Sequence, residues 1–197
     1  MIITVASFKG GVGKSTCAIH LAAYLNTRIP ALLVDGDANR SALKWAAGGQ
    51  LPFKVVDERS AAEHIQQFEN VVIDTPARPS RADLRALADG CDLLVIPTTP
   101  DALSLNALLL TVEELQAIHA EAFRILLNIV PHFPSPAGDE AREAIAQAGL
   151  PIFKNFIRRF VAFQKAALEG KTVDQVSDPH AKDGWEDYKA VGREIMR

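Results

Sequence analysis

SFKGGVGKST, residues 7–16, places three glycines within four positions and sets a lysine on each side, Lys9 and Lys14. The apolar, β-rich run "IITVAS" (2–7) precedes it, and the helical pattern "STCAIHLAAYLN" (15–26) follows. A glycine-rich turn between a strand and a helix lets successive backbone N–H groups face inward around an anion without Cβ clashes. The helix N-terminus adds partial positive charge at the same point. Lys14 then reaches the outer phosphates as a point charge, the Ser15 hydroxyl sits where a magnesium ligand is needed, and Thr16 can bond an inner phosphate. Gly10, Gly11, Val12 and Gly13 supply the backbone of this cradle.

The same alternation continues outward from this stretch. Strands are expected at 2–7, 30–37, 52–57, 70–76, 91–99, 123–130 and 150–157. Several are apolar on both faces, as strands inside a parallel sheet are. Helical spacing of apolar residues appears at 15–26, 40–47, 60–68, 81–90, 103–119 and 139–149, with a further helical region at about 160–197. Strand–helix alternation at this spacing predicts an α/β fold, a mostly parallel twisted sheet with helices on both faces, in one domain spanning 1–197. The only Pro/Gly-rich stretch, "PHFPSPAGD" (131–139), is short enough to join neighbouring elements.

Composition narrows the class. The chain has 197 residues, 48% of them hydrophobic, and a net charge of −3, so any nucleic-acid surface must be a local patch. Cys17 and Cys91 stand far apart without a secretory leader, which points to a reduced, cytoplasmic setting. No apolar run approaches the roughly 20 residues of a membrane span. The five histidines show no metal-ligand spacing, and no Cys or His is placed as a covalent nucleophile.

Lys9 makes the loop unusual. Where the common P-loop has its first glycine this chain has Phe8, and Lys9 follows. Lys14 already fills the cradle, so the Lys9 ammonium is better placed to reach a phosphate bound by a neighbouring subunit. K-G-G-V-G-K-S-T resembles the deviant Walker A box of the ParA/MinD family of ATPases, and the likeness extends from Met1 to about Leu168. The resemblance implies MgATP hydrolysis in a nucleotide-sandwich homodimer whose interface Lys9 crosses, an interface that "PTTPDALSL" (97–105) shares.

Two acidic sites accompany the loop. "LLVDGDAN" places Asp35 and Asp37 two apart on one face of a strand end. It resembles the family's switch segment, which implies Asp35 near the metal and Asp37 positioning or activating the attacking water. Ala38 and Asn39 replace the family's usual Pro and Gln, so a less rigid loop is expected. "VVIDT" (71–75) is an apolar strand ending in Asp74, the Walker B pattern of a carboxylate holding the magnesium shell through water. Capping of a following helix is the competing role for each aspartate. Asn128 in "LLNIVP" is similar to the family's adenine-recognising Asn, and its competing role is a turn before Pro131.

The C-terminal part bears on output. From Lys154 to Arg197 there are nine Lys/Arg against seven Asp/Glu, a +2 tail on a chain whose remainder is −5. Arg158, Arg159 and Lys165 form the candidate DNA-binding cluster, joined by Lys154, Lys171, Lys182 and Lys189, with ordinary surface charge as the competing reading. Pairing two such patches in an ATP dimer would switch on non-specific DNA binding and nucleoid association. A terminal stripe of Trp185, Tyr188, Val191 and Ile195 is interleaved with Asp183, Glu186, Asp187 and Glu194, which suits packing on protein better than a MinD-like anchor on anionic lipid.

With Met1-Ile2-Ile3 opening the first strand, no preceding helix-turn-helix module is expected. "VDGDANRSALKWA", "PFKVVDER" and "WEDYKAVG" resemble the compact ParA-like proteins that include the carboxysome-positioning McdA group. Members of that kind position plasmids through a centromere-binding partner, or protein organelles through an adaptor. A metabolic ligase of the dethiobiotin-synthetase type shares the cradle but needs a polar pocket for a small acceptor, and no candidate set is evident.

Overall fold

The computed structural model describes residues 1–132 and 134–197. Six parallel strands form one sheet: β1 (Ile2–Ser7), β2 (Ala31–Asp35), β3 (Lys54–Asp57), β4 (Asn70–Ala77), β5 (Leu93–Thr98) and β6 (Phe123–Leu127), in the order β3-β2-β4-β1-β5-β6. The helices are α1 (Lys14–Asn26), α2 (Ser41–Ala46), α3 (Ala61–His64), α4 (Arg81–Asp89), α5 (Ala102–Ala117), α6 (Ala137–Gln147), α7 (Val161–Glu169) and α8 (Ala181–Ile195). From β1 the chain goes to one side for β2 and β3, returns to place β4 beside β1, and then crosses to the other side for β5 and β6, so a crevice opens beyond the carboxyl end of β1, the position where such sheets bind ligands.

Alternation along each strand divides the core into two layers. Ile3, Val5, Leu33, Val72, Val95 and Leu126 face α1, α7 and α8, where Leu21, Leu25, Ala162, Ala166, Tyr188 and Val191 cover them. Ala6, Leu94, Ile96, Ile125 and Leu127 face the opposite way, onto Leu84 of α4, Leu108, Val112 and Leu115 of α5 and Ile145 of α6. The terminal stripe is therefore used internally: Tyr188 and Val191 are fully buried, and Gly192 lies against the Tyr24 ring of α1. A Cβ at Gly192 would stand 2.2 Å from that ring, so only glycine permits the close approach.

Two expectations are corrected. The segment 150–157 is not a seventh strand. It runs beside β6 with separate bridges, Ile125 to Ile152 and Val130 to Arg158. Between them the Lys154 and Asn155 N–H groups donate instead to the Glu194 carboxylate of α8, at 2.9 and 2.8 Å, and the ladder is broken there. The helix expected at 60–68 is one α turn followed by a 3₁₀ turn, Ile65–Gln67. In the 131–139 loop, Phe133 lies outside the described residues, and α6 starts at Ala137 within that stretch.

His20 illustrates how little of the polar core is chemically free. Its ring accepts from the Val173 N–H at 3.0 Å on Nε2 and meets the Thr16 carbonyl at 2.8 Å on Nδ1. Burial pushes its pKa down to about 4, leaving a neutral structural imidazole. Among the described residues no helix is long and apolar enough to cross a membrane.

Candidate active site

The glycine run turns from β1 into α1 at the crevice. Gly11 and Gly13 have φ of 82° and 83°, and a Cβ at Gly13 would lie 2.4 Å from Asn128 Nδ2, so this turn requires glycine on both counts. Beyond Gly13, the first-turn N–H groups of α1 have no intrahelical partners, and Lys14, Ser15 and Thr16 line a cavity of about 710 Å³. Gly10, Gly11, Gly13, Lys14, Ser15, Thr16, Asp37 and Asn39 line it. Lys14 is only 8% exposed, and its ammonium adds to the α1 N-terminus to make the cavity anion-selective.

Lys9 does not line this cavity. Its ammonium donates to Ser104 Oγ at 2.7 Å and to Asp101 Oδ1 at 3.1 Å, at the start of α5. The Ser104 and Thr99 hydroxyls, with Lys9 itself, hold the Asp101 carboxyl well below the usual carboxylate range.

Register brings the acidic groups together, because Asp35 of β2 pairs with Asp74 of β4 at the strands' carboxyl ends. Their roles nevertheless differ. Asp35 is fully buried, and its oxygens accept the backbone N–H groups of Asp37, at 3.1 Å, and Leu43, at 2.9 Å. Both Asp35 oxygens thus help to organise its own loop, while the register keeps the residue beside Asp74. Asp37 accepts from Asn39 N and Nδ2 on one oxygen, Oδ1, at 2.8 and 3.0 Å, while lining the phosphate cavity. Asp74 is also fully buried, yet among the described residues neither of its oxygens has a hydrogen-bond partner. Two orphaned carboxylate oxygens near the Ser15 hydroxyl fit a hydrated magnesium ion, which would satisfy both. Asp74 and Ser15 are the residues that would hold it, and the ion would neutralise charge on the transferred phosphate.

Burial lifts the Asp74 carboxyl from 3.8 to about 7, opposed in part by Ser15. The folded chain then holds this proton more tightly than the unfolded chain, so the contribution of Asp74 to stability falls as pH rises from about 4 to about 7. Measured in EDTA across that window, the melting temperature of wild type is expected to fall relative to Asp74→Asn. Parallel profiles for the two proteins would contradict this.

A second cavity, about 370 Å³, adjoins the first and is lined by Gly13, Thr16, Asn128, Ile129, Ile157, Arg158, Arg159, Phe160, Phe163, Gln164 and Ala167. Asn128 reaches it from the end of β6 with its amide already engaged: Nδ2 donates to Val12 O at 2.7 Å and meets Cys17 Sγ at 3.4 Å. Among the described residues its Oδ1 accepts nothing, which leaves the acceptor that an exocyclic amine needs. Phe163, Gln164, Lys44 and Trp45 line these cavities and were not singled out from the sequence. Lys44 and Trp45 follow directly on the switch segment, so the signal was present in "NRSALKWA".

The basic cluster is not a free patch. Arg158 is bound to Asp187 through Nε and Nη2, at 3.0 and 2.7 Å, and Lys165 to the nearly buried Asp178 at 2.6 Å. Of the three candidates, Arg159 alone forms no ion pair among the described residues. Lys171 pairs with Glu169 and Lys189 with Glu186, whereas Lys154 and Lys182 form no ion pair among the described residues.

A family model described as the CobQ/CobB/MinD/ParA nucleotide binding domain matches residues 3–173. The chain belongs to this family. As a ParA/MinD-type member it is a nucleotide-binding ATPase, and the cradle of 10–16 lies within the matched residues. It is 35% identical to "Maintenance of carboxysome distribution protein A" of Gloeobacter kilaueensis over 100% of this chain and 94% of that one. It is also 35% identical to "Protein ParA" of Rhizobium radiobacter, over 64% of each. Among solved structures, an ATP complex of a Cyanothece McdA variant superposes with a TM-score of 0.74 at 18% identity, covering 97% of this chain and 96% of that one.

Proposed function

We propose that this ParA/MinD-type ATPase hydrolyses MgATP as an ATP-dependent homodimer and distributes carboxysomes over the nucleoid, working with an adaptor protein that stimulates hydrolysis. One observation carries the choice of cargo. The likeness to the carboxysome-distribution relative covers the whole chain, including residues 174–197 beyond the family match, whereas the likeness to the plasmid-type ParA covers 64% of it. Those last residues contain α8, which closes the core layer beneath the nucleotide cavities.

In this reading Lys14, Ser15 and Thr16 bind the phosphates, Asp74 and Ser15 hold magnesium, Asp37 orients water, and the carbonyl of Asn128 accepts from adenine. Lys9 supports dimerisation because it stands outside its own cavity, with an ammonium that can exchange Asp101 for a phosphate on a second subunit. Because α8 buries its apolar stripe on α1, it has little left to offer a bilayer, which argues against the MinD-like alternative.

DNA contact is proposed through Arg159, with Lys154 and Lys182, since Arg158 and Lys165 are tied to carboxylates. Retention on a non-specific duplex is expected to require ATP and to fall steeply with salt, because affinity follows the number of phosphates neutralised. Arg159→Glu is expected to weaken it, whereas Arg158→Glu would also set two carboxylates against each other. Retention that is equal without nucleotide, or unchanged in Arg159→Glu, would overturn the DNA assignment.

A further inference from the structure

We propose that Arg40 is a positioning residue for hydrolysis: its guanidinium holds the turn that presents Asp37 to the phosphate cavity. The inference rests on the reading of Asp37 given above. It starts from a local contradiction. Ala38 and Asn39 are exposed, and among the described residues the one side-chain hydrogen bond donated from this turn's tip is that of Asn39 to Asp37 itself. The turn nevertheless has a defined shape, and at its end Arg40 adopts φ 53° and ψ 43°, a left-handed conformation that long side chains rarely take. Such a backbone persists where the surroundings over-determine it.

The Arg40 side chain supplies that determination. Nη1 donates to the Asp35 carbonyl at 2.9 Å and also to Glu58, and Nη2 donates to Glu58 Oε1 at 3.1 Å. Glu58 directly follows β3, the edge strand beside β2. A planar fork thus links the end of β2 to the end of β3 across the base of the turn. From the same residue, the backbone N–H donates to the Asp37 carbonyl at 2.9 Å. Arg40 therefore grips Asp37 by the main chain and the sheet by the side chain. Asp35 adds anchors through the Asp37 and Leu43 N–H groups, and the Gly36 N–H donates to the Asp74 carbonyl at 2.8 Å. The brace also lies near the metal side: Glu58, Gly36 and Asp74 line one cavity of about 490 Å³.

The expected looseness of a loop without Pro and Gln is thus offset by a charged cross-brace between residues 18 apart in the chain. Loss of the brace leaves the cavity's phosphate-binding wall untouched, because Arg40 and Glu58 are not part of it. It frees the carboxylate that must meet the water, and displacement by about 1 Å at a reacting group can cost about a hundredfold in rate.

The test is single-turnover ATP hydrolysis beside equilibrium binding of a fluorescent ATP analogue, for wild type, Arg40→Asn, Arg40→Lys, Glu58→Gln and Asp37→Ala. Asn tolerates the left-handed backbone, so Arg40→Asn removes the fork without adding strain. Its hydrolysis rate is expected to fall about a hundredfold while Kd stays within about twofold. Arg40→Lys keeps the charge but not the fork, and Glu58→Gln keeps an acceptor but not the charge, so both should fall between. Hydrolysis by Arg40→Asn at the wild-type rate, with Asp37→Ala inactive, would overturn the brace and leave Asp37 its role. A rise in Kd without a change in rate would also overturn it. Wild-type turnover by Asp37→Ala would remove both.

Discussion

Lys14→Ala is expected to lose nucleotide binding. Lys14 is 8% exposed as a residue at the first position of α1, and it is the one cation in the glycine cradle of residues 10–16. Against a phosphate it forms a buried, charge-assisted contact, and truncating one partner of such a pair costs about 2–5 kcal/mol. That corresponds to a Kd raised by about 30-fold to several thousandfold. Among the described residues no carboxylate forms an ion pair with Lys14, so its removal should leave the fold intact: an unpaired buried charge destabilises, and alanine is the best helix former. Calorimetric titration should therefore show ATP affinity gone while the melting temperature without nucleotide stays at or above that of wild type. Normal ATP affinity would contradict the cradle assignment.

Asp37→Ala is expected to separate binding from turnover. The carboxylate lines the phosphate cavity but lies on the turn after β2, away from the N–H groups and lysine that bind the anion. Truncation should leave ATP affinity within a few-fold while hydrolysis falls by about 10²–10⁴, the usual contribution of a positioned acid–base group. Phosphate release and nucleotide binding on the same preparation measure both. Turnover at the wild-type rate would pass the role to Asp74, the remaining carboxylate of the site whose oxygens are not held by the protein.

The elements that read clearly in the sequence were those whose residues face the same environment throughout. The runs at 2–7, 70–76 and 91–99 carry stretches buried on both sides, and each contains a strand of the sheet. The glycine loop was legible because φ near +80° and the close approach of Asn128 leave no other residue type possible at Gly13. What stayed hidden was set by partners remote in the chain. Residues 150–157 have strand composition, but Glu194 captures two of their N–H groups. Arg158 and Lys165 look free until α8 and the segment before it bring Asp187 and Asp178 to them. Asp35 and Asp37 were legible as a pair at a strand end, yet only the path of the turn shows that backbone N–H groups occupy both Asp35 oxygens, whereas Asn39 engages only Oδ1 of Asp37. Arg40 was present next to the switch segment, but its significance depends on Glu58 in a neighbouring strand's loop.

The central claim is that triphosphate binding joins two copies of the chain, each lending Lys9 to the other. Light scattering on Asp37→Ala saturated with MgATP, with and without Lys9→Ala in the same chain, tests it most directly. Asp37→Ala is expected at twice the monomer mass and the double variant at the monomer mass. A MgATP-saturated Asp37→Ala that stays monomeric, or a dimer that survives the loss of Lys9, would contradict it.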